Sequence, residues 1–479
     1  AGGVILDGTG IAAGSDGITL SSTGNTIKGL KIKSFTDEGI SIASGDNTIG
    51  GTGANEGNMV YSNGDNGIEF TAADGISYVL GNYIGTDTSF ADLGNKDTGV
   101  YINAAGTIVI GGTTPGSANI IAFHDETFDI GIYVSNGFAT IQGNYIGTNA
   151  AGDHLANSQG ISVATGADGV TIGGTDPGAG NTICGGSSHG LAVSNSGGTV
   201  NVQGNYIGTD ASWRDLGGTG RGIYIAGAGT INIGGTDPGA GNWIAWFDSA
   251  DKPGIEVNNG SPTIQGNYIG TNAAGDDLGN YNGIYLTAGA DAVTIGGTVA
   301  GAGNVIARND NDGILSLSNN NSIVVQGNYI GTDSGGASLP NGGDGIETTA
   351  GTVTIGNAGE AQGNVIGPNT GYGINKGAGT LSFAGTVTVR DDVNFSAGTV
   401  NLGASTFHAS GNWTNAAGIT FNANTSTVVL DGTSSQTVTT AGKTYNVLTV
   451  TNDSAEGVTF ADGWTTGTFT ATTADTNLF

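Results

Sequence analysis

The sequence has almost no cysteine, little positive charge and no long apolar run, and each shortage removes a class of protein. Cys184 is the single cysteine, so an internal disulfide and a metal site built from several thiolates are both excluded, and stability must come from stacking. Eleven Lys and Arg stand against 40 Asp and Glu, a formal net charge of −29. Such a field repels phosphate backbones and anionic lipid surfaces, which argues against nucleic acid as a partner. No stretch reaches the apolar length of a bilayer-spanning helix, so no direct membrane insertion is expected. Aromatic residues make up only 7% of the chain.

What is abundant is glycine, 93 of 479 residues, beside a hydrophobic fraction of 37% that suffices to fill a narrow continuous core. Charged residues are 11% of the chain, so the surface is a polar Ser/Thr/Asn/Gly one more than an acidic brush, and calcium is compatible with it without being required. The chain opens with AGGVILDG and stops in a Thr-rich stretch at Asn477-Leu478-Phe479. A processed chain, or a piece of a longer polypeptide, is the expectation.

Comparing the chain with itself gives its organisation. GNYIGT starts at Gly81, Gly143, Gly204, Gly266 and Gly327, and IGGT at Ile49, Ile110, Ile172, Ile233 and Ile295, with a period of 61 or 62 residues. Between them lie short blocks such as GVYI at Gly99, GIYV at Gly131, GLAV at Gly190 and GIYL at Gly283, alternating apolar with polar and punctuated by Gly, Asn and Asp. These are strand and turn signals, and no window carries a sustained helical period. The asparagine of each G-N-x-I/V unit recurs at Asn58, Asn82, Asn119, Asn144, Asn181, Asn205, Asn242, Asn267, Asn304, Asn328 and Asn364. Its steps alternate between 24 or 25 and 36 or 37 residues, so each repeat is two coils, one plain and one carrying an insertion.

An Asn side chain both donates and accepts, so one turn position repeated a strand spacing of about 4.8 Å higher lets amides bond up a stack. The spacing therefore predicts an all-β, right-handed, single-stranded parallel β-helix with three short strands per coil, registered by an asparagine ladder. Residues 1–380 would form roughly a dozen such coils, a rod on the order of 55 Å. Residues 381–479 remain strand-like without the repeat, and either continue the solenoid in plainer coils or form a small β domain.

The pattern GNYIGTD…LGN…GIYL…VTIGGT…PGAGNVI resembles the parallel β-helix repeats of large bacterial secreted and surface exoproteins, many of them regarded as adhesins, over residues 1 to about 380. GNWTNAAGITFNANTSTVVLDGTSSQTVTTAGKTYNVLTV resembles segments of giant bacterial surface proteins. The resemblance implies bacterial origin, an extracellular or cell-surface address and a structural or adhesive role.

Parallel β-helices also include polysaccharide lyases and polygalacturonases, and fold alone does not decide between these roles. A glycosidase needs paired carboxylates flanking one sugar bond. The nearest match to a polygalacturonase-like Gly-His-Gly is Ser188-His189-Gly190, with no Asp-Asp pair one coil earlier, and Arg214, Arg221, Arg308 and Arg390 are scattered. No catalytic set is assigned. The insertions place Leu93, Leu155, Leu216, Leu278 and Leu339 ten residues after the tyrosine of each GNYIGT; alternation turns that Tyr outward, and the loop is expected to fold back and cap it, with a Tyr-lined sugar track as the alternative.

Asp87 with Asp92, Asp210 with Asp215, and Asp277 beside Asn272 offer oxygens to calcium in these loops. Two of the five copies lack the pair, which favours Asx turns, in which the side chain bonds its own following backbone. The feature that no other copy shares is the Trp243–Asp248 run with Trp246 and Phe247, aligned with Phe123 and His124 in another copy. Variation at a fixed place suggests a solvent-facing turn. With Trp213 on the neighbouring loop and acids at Asp125, Glu126, Asp129, Asp248 and Asp251, these aromatics form the candidate surface for a glycan or a protein. Two readings of function follow: a non-enzymatic structural or adhesive rod, with head-to-tail stacking into a fibre as a variant because no polar cap is evident at Ala1, or a carbohydrate-binding or carbohydrate-degrading β-helix.

Overall fold

The structure, a computed structural model, describes residues 3–471 apart from 73, 125–128, 196, 320 and 358–362. It is all-β, and its strands pair in parallel as a β-helix solenoid. The chain divides into two compact units, Ala1–Lys252 and Pro253–Phe479.

In the first unit the strands fall into columns. One, the tyrosine column, holds Leu30–Lys33, Met59–Tyr61, Tyr83–Ile84, Ile120–Ile121, Tyr145–Ile146, Thr182–Ile183, Tyr206–Ile207 and Trp243–Ile244. Their register brings Ile32, Val60, Ile84, Ile121, Ile146, Ile183, Ile207 and Ile244 into one inward row, every member fully buried. Burying one such side chain contributes about 1.5–3 kcal/mol, so this row alone is a large part of the core. The G-I/V-x-I/V blocks and the strands that lead to IGGT form two more columns. The long strands Val100–Gly111, Ile130–Gln142 and Gln159–Gly173 run from one of these into the other.

The two-residue strands are short for a local reason. In each GNYIG the glycines on either side of N-Y-I have positive φ, 66° and 77° at Gly81 and Gly85, a region that costs a side-chain-bearing residue about 1 kcal/mol or more. A Cβ on Gly85 would also strike the Ala122 carbonyl of the next coil. The chain therefore turns sharply before and after each Tyr-Ile pair.

The second unit repeats the scheme with Tyr268–Ile269, Val305–Ile306, Tyr329–Ile330 and Asn364–Ile366. Beyond residue 380, Thr386–Val389, Thr406–Ala409, Thr427–Leu430, Thr444–Val450 and Thr465–Ala471 continue the same column in parallel. Their interior changes from Ile to aromatic packing: Phe407 and Trp413 meet edge-on at 5.0 Å, and Phe395 and Trp413 at 5.2 Å.

The asparagines form ladders within each unit. Asn58, Asn82, Asn119, Asn144, Asn181, Asn205 and Asn242 are linked by Nδ2–H···Oδ1 bonds of 2.9–3.0 Å. Asn267, Asn304, Asn328 and Asn364 are linked at 2.8–3.1 Å. After the first rung of each unit, Oδ1 accepts a second bond from the backbone N–H of the preceding rung, as Asn144 Oδ1 does from Asn119, and each Nδ2 gives its other hydrogen to a carbonyl, as Asn119 does to Val79. All eleven side chains are buried, and the rungs satisfy one another, which is what makes burying an amide affordable.

Candidate functional site

The outer row of the tyrosine column reads Lys31, Met59, Tyr83, Ile120, Tyr145, Thr182, Tyr206, Trp243 in register through the first unit. In the second it begins Tyr268, Val305, Tyr329, Val365. Tyrosine thus occupies every second rung from Tyr83 to Tyr206 and from Tyr268 to Tyr329. Two stacks of loops rise beside this row. One is made of the turns after IGGT, where a Cβ on Gly116 would strike the Thr52 carbonyl of the loop below. The other is made of the insertions, where His154 Nε2 meets the Asp215 carbonyl at 3.0 Å and Arg214 reaches the Ala151 carbonyl. Grooves open between them: one lined by Lys31, Met59, Tyr83, Thr88, Gly116 and Ile120, and in the second unit one lined by Tyr268, Gly301, Gly303, Val305, Tyr329 and Ser334.

Each insertion is locked by its own backbone. The leucine N–H returns to the glycine carbonyl of GNYIG, at 2.9 Å for Leu155, Leu216 and Leu339. Leu155, Leu216, Leu278 and Leu339 are buried, while Leu93 is half-buried, and Tyr268 and Tyr329 pack on the cluster of Val305, Ala307 and Leu339. The first residue of four of the five loops makes an Asx turn, and in the fifth Asp333 Oδ1 accepts from the Ala337 N–H at 2.8 Å. Asp87 Oδ1 accepts from the Ser89 N–H at 2.8 Å, Asp210 Oδ1 from Ser212 and Arg214 at 2.8 and 3.1 Å, and Asn272 Oδ1 from Ala274 and Asp276 at 2.9 and 3.2 Å. Asp210 also pairs with Arg214 at 3.2 Å, and Asp215 Oδ1 accepts from the Gly217 N–H. These carboxylates are thus engaged by their own loops; Asp92 and Asp277 lie exposed beside them.

Among the described residues the acids that do converge are others: Asp16 with Asp37 and Glu38 in the first unit, and Asp312 with Asp344 and Glu347 in the second. Burial, aided by the Asp16 hydrogen bond, pushes the Glu38 carboxyl up to about 8, and burial pushes Asp312 up to about 7. The Asp312 cluster is already bonded to protein, since Asp312 Oδ1 accepts from the Asp344 N–H at 2.7 Å and Asp344 Oδ2 from Asn375 Nδ2 at 2.7 Å.

The aromatic candidates separate into two groups. Tyr206 and Trp243 stack at 4.7 Å with 9° between planes, and Trp213 leans on both at 6.0 and 5.9 Å. Phe123, Trp213 and Trp246 are half-buried and hold left-handed backbone at φ 62°, 62° and 66°. His124 and Phe247, by contrast, are fully buried, so the expected solvent-facing turn is corrected for these two. The left-handed residue before each one turns the corner and sends the next side chain inward. Asp125 and Glu126 lie outside the described residues; Asp129 is buried, and Asp248 and Asp251 are exposed.

What His124 joins is a second ladder that the sequence reading missed. Asn63 Nδ2 donates to Asn95 Oδ1 at 2.9 Å, Asn95 Nδ2 lies 3.3 Å from His124 Nε2, and His124 Nδ1 lies 3.1 Å from Asn157 Oδ1. These partners fix the neutral tautomer with hydrogen on Nδ1, an imidazole imitating an amide. Burial holds it down to about 4, so it stays neutral. The next two positions are Gly186 and Gly218, and the Phe247 ring lies against Gly185 and Gly208 beside them: a hydrocarbon plug where two amide rungs are absent. In the second unit Asn280, Asn309, Asn341 and Asn369 resume the ladder at 2.9–3.1 Å. The available signal was the Asn of LGN, LAN and LPN, two residues after four of the five insertion leucines.

Two further groups of chemistry-bearing side chains lie among the described residues of the first unit. His189 lies flat on Tyr224 at 4.7 Å with Arg221 over the same ring at 5.4 Å, and burial holds its imidazole down to about 4. Cys184 is buried, its thiol pushed up to about 12, with Sγ 3.5 Å from His154 Nδ1. A comparison with protein-family models and with curated proteins finds no match.

Proposed function

We propose that this chain is the non-enzymatic structural and adhesive body of a bacterial extracellular surface protein, the role its repeats resemble, and that its affinity resides in the groove over the tyrosine column. The observation that carries this reading is the form of that surface. Rings and loop walls recur from coil to coil, which suits an extended partner better than a small substrate held at one point. Ladders and loops that are satisfied internally leave the outer row free to vary. The test is adhesion of the purified chain to glycan and protein arrays, with Tyr83→Ala, in the lining of the open groove, expected to weaken capture; arrays on which the wild type captures nothing remove the adhesive part of the proposal.

Head-to-tail stacking of copies is the second element. Val4–Asp7 pairs with Leu30–Lys33 and exposes the apolar Val4 and Ile5, side chains of the kind that such stacking would cover. Electron micrographs over a concentration series test it: rods that lengthen with concentration are expected, and uniformly short particles argue against it. Degradation of polysaccharide is the competing reading, supported by fold analogy alone. Product release abolished by one Asp→Asn substitution would establish it in place of the proposal.

A further inference from the structure

We infer that the groove takes a flat pyranose ring of a neutral glycan, seated on the rung between two tyrosines. This rests on the adhesive reading and adds the ligand class and the place. Trp243 supplies the first argument. It occupies the rung after Tyr206, and its ring lies flat against the tyrosine at 4.7 Å. The equivalent rung after Tyr83 carries Ile120, and the one after Tyr268 carries Val305. At both of these the grooves open. The chain thus displays, in one repeat, a planar ring on the rung where two other repeats carry an aliphatic side chain at the floor of a groove.

Spacing supplies the second argument. Tyr83 and Tyr145 flank Ile120, and Tyr268 and Tyr329 flank Val305; two strand spacings are about 9.6 Å, room for one ring between two others. A pyranose offers a C–H face to such a ring and equatorial hydroxyls at its edge. The walls meet those hydroxyls with Gly116, Thr88, Gly301 and Ser334, short residues that bring backbone N–H and C=O groups close. The net charge of −29 disfavours uronic or sulfated sugars. An aromatic side chain of a protein partner is the other occupant of the same shape, and the test separates it.

The experiment titrates cellohexaose, N-acetylchitohexaose, mannohexaose and xylohexaose, and separately a Trp-containing peptide, into the full chain and two variants. Ile120→Trp with Val305→Trp copies the native Trp243 rung, so it should fold, which circular dichroism checks; it is expected to weaken hexasaccharide binding at least tenfold. Trp243→Val uncovers the Tyr206 face and should raise the number of sugars bound. Equal hexasaccharide affinity in the wild type and the double variant overturns the inference, as does binding of the peptide but of none of the sugars. Array capture that survives in the double variant leaves adhesion standing and removes the groove as its site.

Discussion

Replacing His124 by Asn should make the first unit less sensitive to acid, and the size of the effect follows from the second ladder. In the folded chain the imidazole accepts from Asn95 and donates to Asn157, and protonation would set an Nε2–H against the Asn95 amide hydrogens. Burial accordingly holds its pKa near 4, against 6.5 for a free side chain. Between those values the unfolded chain binds more protons than the folded one, so stability falls as pH drops from about 6.5 to about 4 and levels off below. The difference corresponds to about 3 kcal/mol at 1.36 kcal/mol per pH unit. Asparagine already serves at Asn63, Asn95 and Asn157 and does not titrate. The assay is the guanidinium midpoint of the wild type and His124→Asn at pH 7 and pH 4, followed through Trp213, Trp243 and Trp246. Trp413 and Trp464 are replaced by Phe so that the signal reports on the first unit. The wild type should lose more midpoint than the variant, while His189, present in both, cancels. Parallel losses would refute the neutral rung.

Asn144→Ala in the first ladder should cost about 2–4 kcal/mol, because it leaves the Asn119 backbone N–H buried without its acceptor and takes one of two bonds each from Asn119 Nδ2 and the Asn181 carboxamide oxygen; thermal denaturation of the variant measures it. Lys376 is fully buried and donates to the carbonyls of Gly377, Ala378 and Gly379 at 2.6, 2.6 and 3.0 Å, with desolvation holding it down to about 8. The unfolded chain binds more protons between about 8 and 10.5, so the second unit should gain stability across that window, and Lys376→Met should abolish the rise in a pH series of melting curves. Asp312, raised to about 7 from 3.8, has the opposite sign: folding takes up a proton between those values, stability falls as pH rises through them, and Asp312→Asn should flatten that fall. Since the insertion carboxylates are held by Asx turns, a chelator should leave the melting temperature unchanged, whereas a drop of several degrees on adding EDTA would point to a resident cation.

The β-helix and the first ladder were legible because one residue type, Asn, returns at a fixed offset from Gly and Ile, and no other role explains that offset. The Asx turns were legible for a related reason: the loop-opening residue is always Asp or Asn, although the rest of the acid pair varies. The second ladder was not. Its position holds Asn63, Asn95, His124, Asn157, Gly186, Gly218 and Phe247 in turn, so the residue type breaks off within the first unit, and the insertions set it 13 residues past the first-ladder asparagine in one coil and 5 in the next. The inward turn of His124 and Phe247 was hidden because a period-two reading fails across a left-handed corner, and Phe123 and Trp246 give no sequence sign of adopting one. The Tyr206–Trp243 stack required register, which depends on knowing that a plain coil sits directly on an inserted one.

The first ladder has a direction. Within each unit every inner rung gives its amide hydrogen to the rung that follows in sequence and takes one from the rung before, so the carboxamides are aligned like spins in a one-dimensional magnet. A single reversed amide would face a donor with a donor on one side and an acceptor with an acceptor on the other, and neighbouring dipoles polarise one another against such a fault. Direction is therefore set collectively, and a new coil is accepted only if it arrives in the same sense with its asparagine in place. Gene duplication in whole repeats satisfies that condition automatically, so length becomes the one property of this fold that selection can alter without redesigning any contact inside it.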